Sequence, residues 1–114
     1  MTQFSVINPA TQEVVKSYDA ATDEQIEQAL ASAQKTYTEW ARTTTVAERA
    51  ALAQRLAELF DERKDELGEI INREMGKPLE QAVGEAEFSG AIVKAFADNA
   101  EKWLADEEIE VEDG

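Results

Sequence analysis

Glu74-Met75-Gly76-Lys77-Pro78-Leu79 is the stretch on which the fold turns, because one long amphipathic segment must end there and another must begin. Gly76 can adopt the left-handed backbone that closes a helix, Lys77 follows it, and Pro78 carries the preset φ of a first helical turn. That order predicts a helix, a tight joint and a second helix. A glycine and a proline in such a place serve backbone geometry and bring no catalytic chemistry of their own.

Working back from the joint, Thr45-Val46-Ala47-Glu48 has the form of a capping box, in which the Thr hydroxyl and the Glu side chain each satisfy a backbone N–H of the first turn. From there Ala50, Ala53, Leu56, Leu59, Phe60, Leu67, Ile70 and Ile71 keep the helical repeat as far as Met75, which predicts one continuous helix over 45–75. The mixed-sign run at 61–66 reads as a solvated face. Gly68 costs about 1 kcal/mol relative to Ala inside a helix, so its place in the apolar stripe marks a close approach of another backbone.

Further back, Thr22-Asp23-Glu24-Gln25 is a second capping box. It opens a helix over 22–42 whose stripe is Ile26, Ala29, Leu30, Ala33, Tyr37, Trp40 and Ala41, with Tyr37 and Trp40 expected as packing anchors. Arg42-Thr43-Thr44-Thr45 is the loop that follows. At the start, Phe4 and Val6, then Val14, Val15 and Tyr18, flank the turn Asn8-Pro9-Ala10-Thr11 and predict a short hairpin over 4–18. Two strands are marginal alone, so the hairpin is expected either as the edge of a larger sheet or as a cover over the helices.

Beyond the joint a third helix is predicted over 78–105. Its stripe of Leu79, Ala82, Val83, Ala86, Gly90, Val93, Ala97, Ala100 and Leu104 is widened by Phe88, Ile92, Phe96 and Trp103. A helix buried on one side has no need of apolar groups so far round, whereas one buried on several sides has. Gly84 and Gly90 again suggest close approach, extending to a partner element outside this sequence. The stretch at 106–113 holds six acids in eight residues and reads as a solvated tail, with a weak cation site as the alternative reading and Ile109 and Val111 hinting at the start of a strand.

The fold class expected is therefore mainly α: a hairpin at about 4–18 followed by three amphipathic helices at about 22–42, 45–75 and 78–105, in one domain of 114 residues. The formal charge of −14, from 25 acidic against 11 basic residues, disfavours nucleic acid and anionic membranes as partners. With no Cys and no His, disulfides, thiolate or imidazole metal sites, and the commonest nucleophile and general base are all excluded. Nothing groups the acids into a carboxylate-only active site. No long apolar run or signal-peptide pattern is present, so a cytoplasmic location is expected.

The succession Asn8-Pro9-Ala10-Thr11-x-Glu13-Val14-Val15, a capped helix ending in Trp40, Ala47-Glu48-Arg49, Glu74-Met75-Gly76-Lys77-Pro78-Leu79 and then Gly84-Glu85 resembles the N-terminal quarter of the NAD(P)-dependent aldehyde dehydrogenases. The pieces are weak singly and specific in this order and register. Within that family, the joint followed by Ala97-Asp98-Asn99-Ala100-Glu101 and Leu104-Ala105-Asp106-Glu107 is most similar to the succinate-semialdehyde dehydrogenases.

The resemblance implies an α/β parent enzyme that oxidises an aldehyde through a thiohemiacetal and a thioester, passing hydride to NAD or NADP. It implies that residues 1–114 are the helical layer of a coenzyme-binding domain, a single partial domain without the catalytic one. The family's Cys, Glu, Asn and coenzyme-binding Lys fall outside the matching region, so no catalytic, cofactor or metal residue is carried over, and the chain alone is expected to be inactive. Its partner is then the rest of the parent enzyme. Without that partner the broad third helix should drive self-association through Phe88, Ile92, Phe96 and Trp103. The competing expectation is a complete small acidic helical module that binds another protein through an exposed helix face.

Overall fold

The computed structural model describes residues 3–110. Strands β1 (Gln3–Ile7) and β2 (Val14–Asp19) form a two-stranded antiparallel sheet, followed by α1 (Asp23–Thr36) and a π-helical turn (Tyr37–Ala41). Then come α2 (Val46–Glu62), α3 (Lys64–Met75) and α4 (Leu79–Trp103). The hairpin and the helices stand where the residue pattern puts them, with the exception of one break.

That break divides the helix expected over 45–75 at Arg63, whose backbone leaves the helical region at φ −114° and ψ 14°. No Gly or Pro stands there. α4 runs antiparallel beneath both halves, with Gly90 against Ala57 and Phe60 and Gly68 against Val83. The chain bends between these two contacts, where side chains are solvated. The bend is a kink and not a loop: Arg63 N–H still donates to Leu59 O at 3.0 Å and Leu67 N–H to Arg63 O at 2.9 Å.

The core is built from small residues. Ala57, Ala82, Ala86 and Ala97 are buried together with Gly68 and Gly90, and no large side chain among the described residues is fully buried. Small residues let helix backbones approach closely, and a Cβ on Gly68 would stand 2.9 Å from the backbone nitrogen of Val83. Gly84 differs: an added Cβ there meets nothing within 4 Å, so the close approach expected at this residue does not occur within the chain.

The shape is extended. The radius of gyration is 20.4 Å and the principal extents are 70 × 39 × 26 Å, against roughly 13 Å for the radius of a compact domain of about 100 residues. The arm responsible is α1, which has no buried residue and packs substantially only on the π turn that continues it. Tyr37 and Trp40 are therefore not anchors within this chain, being 57% and 43% exposed. Nor does the hairpin cover the helices. It is an exposed ribbon that touches α3 and rests its turn on the joint.

Candidate functional site

The sequence pieces that stand out are, in space, a set of joints. Asn8 folds the hairpin turn by accepting, on its side-chain oxygen, the N–H groups of Ala10 at 2.9 Å and Thr11 at 3.3 Å, an arrangement that competes with strand pairing and so ends it. Gln12 completes the turn at φ 63°. Pro9 then projects onto Gly76, where an added Cβ would lie 2.8 Å from its ring. Gly76 has the left-handed φ of 75° that the helix end requires. Two stretches 67 residues apart in sequence, counting from Pro9 to Gly76, thus form one contact.

The joint between α3 and α4 is locked from both sides. Asn72 donates its side-chain N–H to Lys77 O at 2.8 Å, and the Lys77 ammonium pairs with Glu85 in the second turn of α4. Pro78 stands at the cap, with φ −51°, and α4 begins at Leu79.

At the other end of the molecule, Ala47-Glu48-Arg49 has an equally structural task. Thr45 and Glu48 close their capping box, with Glu48 N–H on the Thr45 hydroxyl at 3.2 Å and Thr45 N–H on the Glu48 carboxylate at 2.7 Å. Those bonds hold the Glu48 carboxyl below the usual carboxylate range, the backbone N–H of Thr45 contributing most. Thr22 and Gln25 make the same box for α1. Arg49 reaches back to donate to Ala41 O at 3.1 Å and Thr44 O at 2.6 Å, stitching the end of the π turn to the start of α2.

What the joints do not use is apolar surface. Around its axis α4 carries small residues packed on α2 and α3 and, beside them, the large exposed groups Phe88, Ile92, Phe96 and Trp103. These four are 65%, 43%, 62% and 55% exposed. Phe96 and Trp103 meet edge to face at 5.5 Å. They border an apolar groove of about 380 Å³ between α2 and α4, which Val46, Ala53 and Ala100 also line. Ile26 and Leu30 on α1, and Leu52 and Leu56 on α2, are exposed as well. A contiguous apolar face of this kind marks an interface on a folded protein. The residue pattern pointed to the α4 face; it missed α1, because a stripe shows that a helix is amphipathic and not whether its partner lies in the same chain.

The charged groups form surface pairs. Arg55 bridges Glu62 and Glu58 at 2.8 and 2.9 Å, Arg63 grips Glu66, and Lys64 spans Asp61 and Glu87, both at 3.1 Å. Every carboxyl with a displaced titration is displaced downward: Glu62 by Arg55, Glu66 by Arg63, Asp98 by Lys94 and Gln54, and Glu48 as above. None of these four is raised, as a general acid working near neutrality would be. Among the described residues no three acids converge as a metal site. At the helix N-termini, α1 and α2 are closed by the Gln25 and Glu48 boxes, whereas α4 opens on Pro78 without a side-chain cap. The acidic stretch is irregular and exposed through residue 110, and the strand expected at Ile109 and Val111 reaches beyond the described residues.

A profile of the aldehyde dehydrogenase family matches residues 1–114. The chain belongs to the aldehyde dehydrogenase family. Among curated relatives, the succinate-semialdehyde dehydrogenase [NADP(+)] of Mycobacterium avium is 38% identical over 104 residues, covering 91% of this chain and 22% of that protein. The enzyme of the same name from Deinococcus radiodurans is 36% identical over 111 residues, 97% of this chain and 23% of its own length. A solved structure of succinic semialdehyde dehydrogenase from Streptococcus pyogenes, in complex with NADP+, superposes with a TM-score of 0.90 at 29% identity, covering 97% of this chain and 24% of that one. The chain thus spans about a fifth of the length of the curated relatives it matches. The joints described above are the parts of an aldehyde dehydrogenase that this chain contains. No described helix is long and apolar enough to cross a membrane.

Proposed function

We propose that this chain is the N-terminal helical layer of the coenzyme-binding domain of an NADP-dependent succinate-semialdehyde dehydrogenase, an enzyme of the cytoplasm. In that enzyme the aldehyde is oxidised to the acid, and the nicotinamide coenzyme, bound by other segments, takes up the hydride. This layer supplies shape. Its hairpin turn is pinned on the α3–α4 joint, and its outer apolar faces are the seat for the remainder of the domain.

The observation that carries the reading is the exposure of Phe88, Phe96 and Trp103 along one side of α4, in a chain whose joints are otherwise complete. Large aromatic groups left in water on a well-built helix call for a covering surface. The similarity to relatives named for succinate semialdehyde and NADP(+) supports the substrate and the coenzyme. Without the remainder, the chain has no activity and associates with itself through Phe88, Ile92, Phe96 and Trp103.

The test is a graft. Residues 1–114 replace the matching stretch of the Deinococcus radiodurans enzyme, and reduction of NADP+ by succinate semialdehyde is followed. An active chimera and an inactive isolated chain are expected; a soluble, folded chimera with no activity contradicts the proposal.

A further inference from the structure

Arg49 is the one charged side chain in the lining of the groove between α2 and α4, whose walls are apolar groups such as Ala53, Phe96, Ala97 and Trp103. We infer that its guanidinium is the polar anchor of the seat: the segment of the parent enzyme that covers this groove brings a carboxylate to Arg49, set among apolar groups. The inference rests on the reading that the outer faces receive the remainder of the domain, and it adds the chemistry of what arrives.

The argument begins with the donors. A guanidinium carries five N–H groups and accepts nothing. In Arg49 a single nitrogen, Nη1, makes all the bonds within the chain: it donates to Thr44 O at 2.6 Å and to Ala41 O and the Thr44 hydroxyl, both at 3.1 Å. Two N–H groups shared among three acceptors saturate that arm of the fork. Among the described residues no acceptor bonds Nη2 or Nε, which hold the other three donors.

The charge is unbalanced as well. All three acceptors are neutral, and the neighbouring Glu48 carboxylate is taken up by its capping box, receiving the Thr45 N–H at 2.7 Å and the Thr45 hydroxyl at 2.9 Å. The more exposed Arg55 and Arg63 each hold carboxylates of this chain, whereas the half-buried Arg49 holds none. The α4 wall of the groove offers no acid either, being Phe96, Ala97, Ala100, Trp103 and Leu104.

In water this arrangement costs nothing, because the open donors are hydrated. Covering the groove removes that water, and a desolvated charge without a partner is strongly unfavourable. The covering segment must therefore bring the acceptor itself. The open donors on Nη2 and Nε lie along one edge of a rigid plane, and that edge matches the two oxygens of one carboxylate. A main-chain carbonyl would fill part of the edge and leave the charge unbalanced.

Arg49 also stitches the π turn to α2, so the test separates the two tasks by subtraction. Hydrogen exchange of the amides of 49–56 is measured for the parent, Arg49→Gln and Arg49→Lys, in the dilute isolated chain and in the Deinococcus radiodurans chimera. Loss of the stitch speeds exchange by the same factor in both settings. Loss of the carboxylate pairing adds at least about a further tenfold for Arg49→Gln in the chimera alone, as expected for a hydrogen bond between charged groups. Arg49→Lys, which keeps the charge and loses the fork, should add less than Arg49→Gln. Equal factors in chain and chimera would reduce Arg49 to its stitch and overturn the inference. So would a chimera in which Arg49→Gln costs no more than Arg49→Lys, since the acceptor would then be neutral. If the amides of 88–103 exchange equally fast in the parent chain and the parent chimera, the seat itself fails and this pairing with it. Should Arg49→Gln not fold as an isolated chain, Arg49→Lys carries the same comparison: an added loss confined to the chimera supports the pairing, and an equal loss in both overturns it.

Discussion

Gly68→Ala and Gly84→Ala are the same change in two interior helical positions, and the structure gives them opposite signs. At Gly84 the added methyl meets nothing within 4 Å. The substitution should gain only the helix propensity of alanine, about 0.5–1 kcal/mol. At Gly68 the methyl would lie 2.5 Å from a Val83 methyl and 2.9 Å from the Val83 backbone nitrogen. The side chain can rotate away, but the backbone cannot yield without opening the α3–α4 contact. Overpacking of that kind costs about 1–3 kcal/mol, which exceeds the propensity gain and leaves a net loss of about 1–2 kcal/mol.

For a domain of this size, about 1 kcal/mol moves the melting temperature by roughly 4 °C. Thermal melts followed by far-UV circular dichroism, at one fixed protein concentration, should therefore place Gly68→Ala about 4–8 °C below the parent and Gly84→Ala about 2–4 °C above it. A Gly68→Ala variant that melts at or above the parent refutes the close packing of α3 on α4.

The remaining expectations bear on the joints and on the missing partner. Gly76→Ala must place an alanine at φ 75° with its methyl 2.8 Å from the Pro9 ring, and should cost about 1–3 kcal/mol in urea titrations. Thr45→Ala should cost about 1 kcal/mol through the loss of the α2 cap. The Glu62 carboxyl, held low by Arg55, contributes stability that is present above the ordinary carboxylate pKa and lost as the pH falls through its own lowered value. The advantage of the parent over Glu62→Gln in thermal melts should accordingly be seen at neutral pH and vanish in acid; an advantage that grows on acidification would show the sign to be wrong. In the grafted enzyme, Gly84→Ala should reverse its sign and destabilise if the covering surface brings a backbone against Gly84; a stabilising effect there too would count against that approach.

The features legible in the sequence are those set by neighbours along the chain. Both capping boxes, the Asn8 turn and the left-handed Gly76 depend on residues within a few positions, and each forms as the spacing implies. The kink at Arg63 was not legible, since no Gly or Pro marks it and both halves go on packing against α4 on either side of it. Glycine shows the same divide. Gly68, Gly84 and Gly90 read alike in the sequence, yet two of them admit a neighbouring helix of this chain and Gly84 faces open space.

The apolar faces divide in the same way. The breadth of the α4 stripe raised the expectation of a second buried side, and within this chain that side stands exposed. The stripe on α1 has an ordinary width and gave no hint that Tyr37 and Trp40 would stand in water. Motif residues such as Arg49, Lys77 and Glu85 turned out to hold joints, which left the candidate site as a surface and not a cluster of reactive groups.

Hydrogen exchange on the grafted enzyme tests that surface most directly. The amides of 88–103 are compared between the isolated chain, kept dilute enough to be monomeric, and the chimera. If the outer face of α4 is the seat for the rest of an aldehyde dehydrogenase, these amides should exchange at least about tenfold more slowly in the chimera, the factor that each 1.4 kcal/mol of added local stability supplies. Equal rates in a folded chimera would contradict the account, leaving the aromatic face of α4 uncovered in the enzyme.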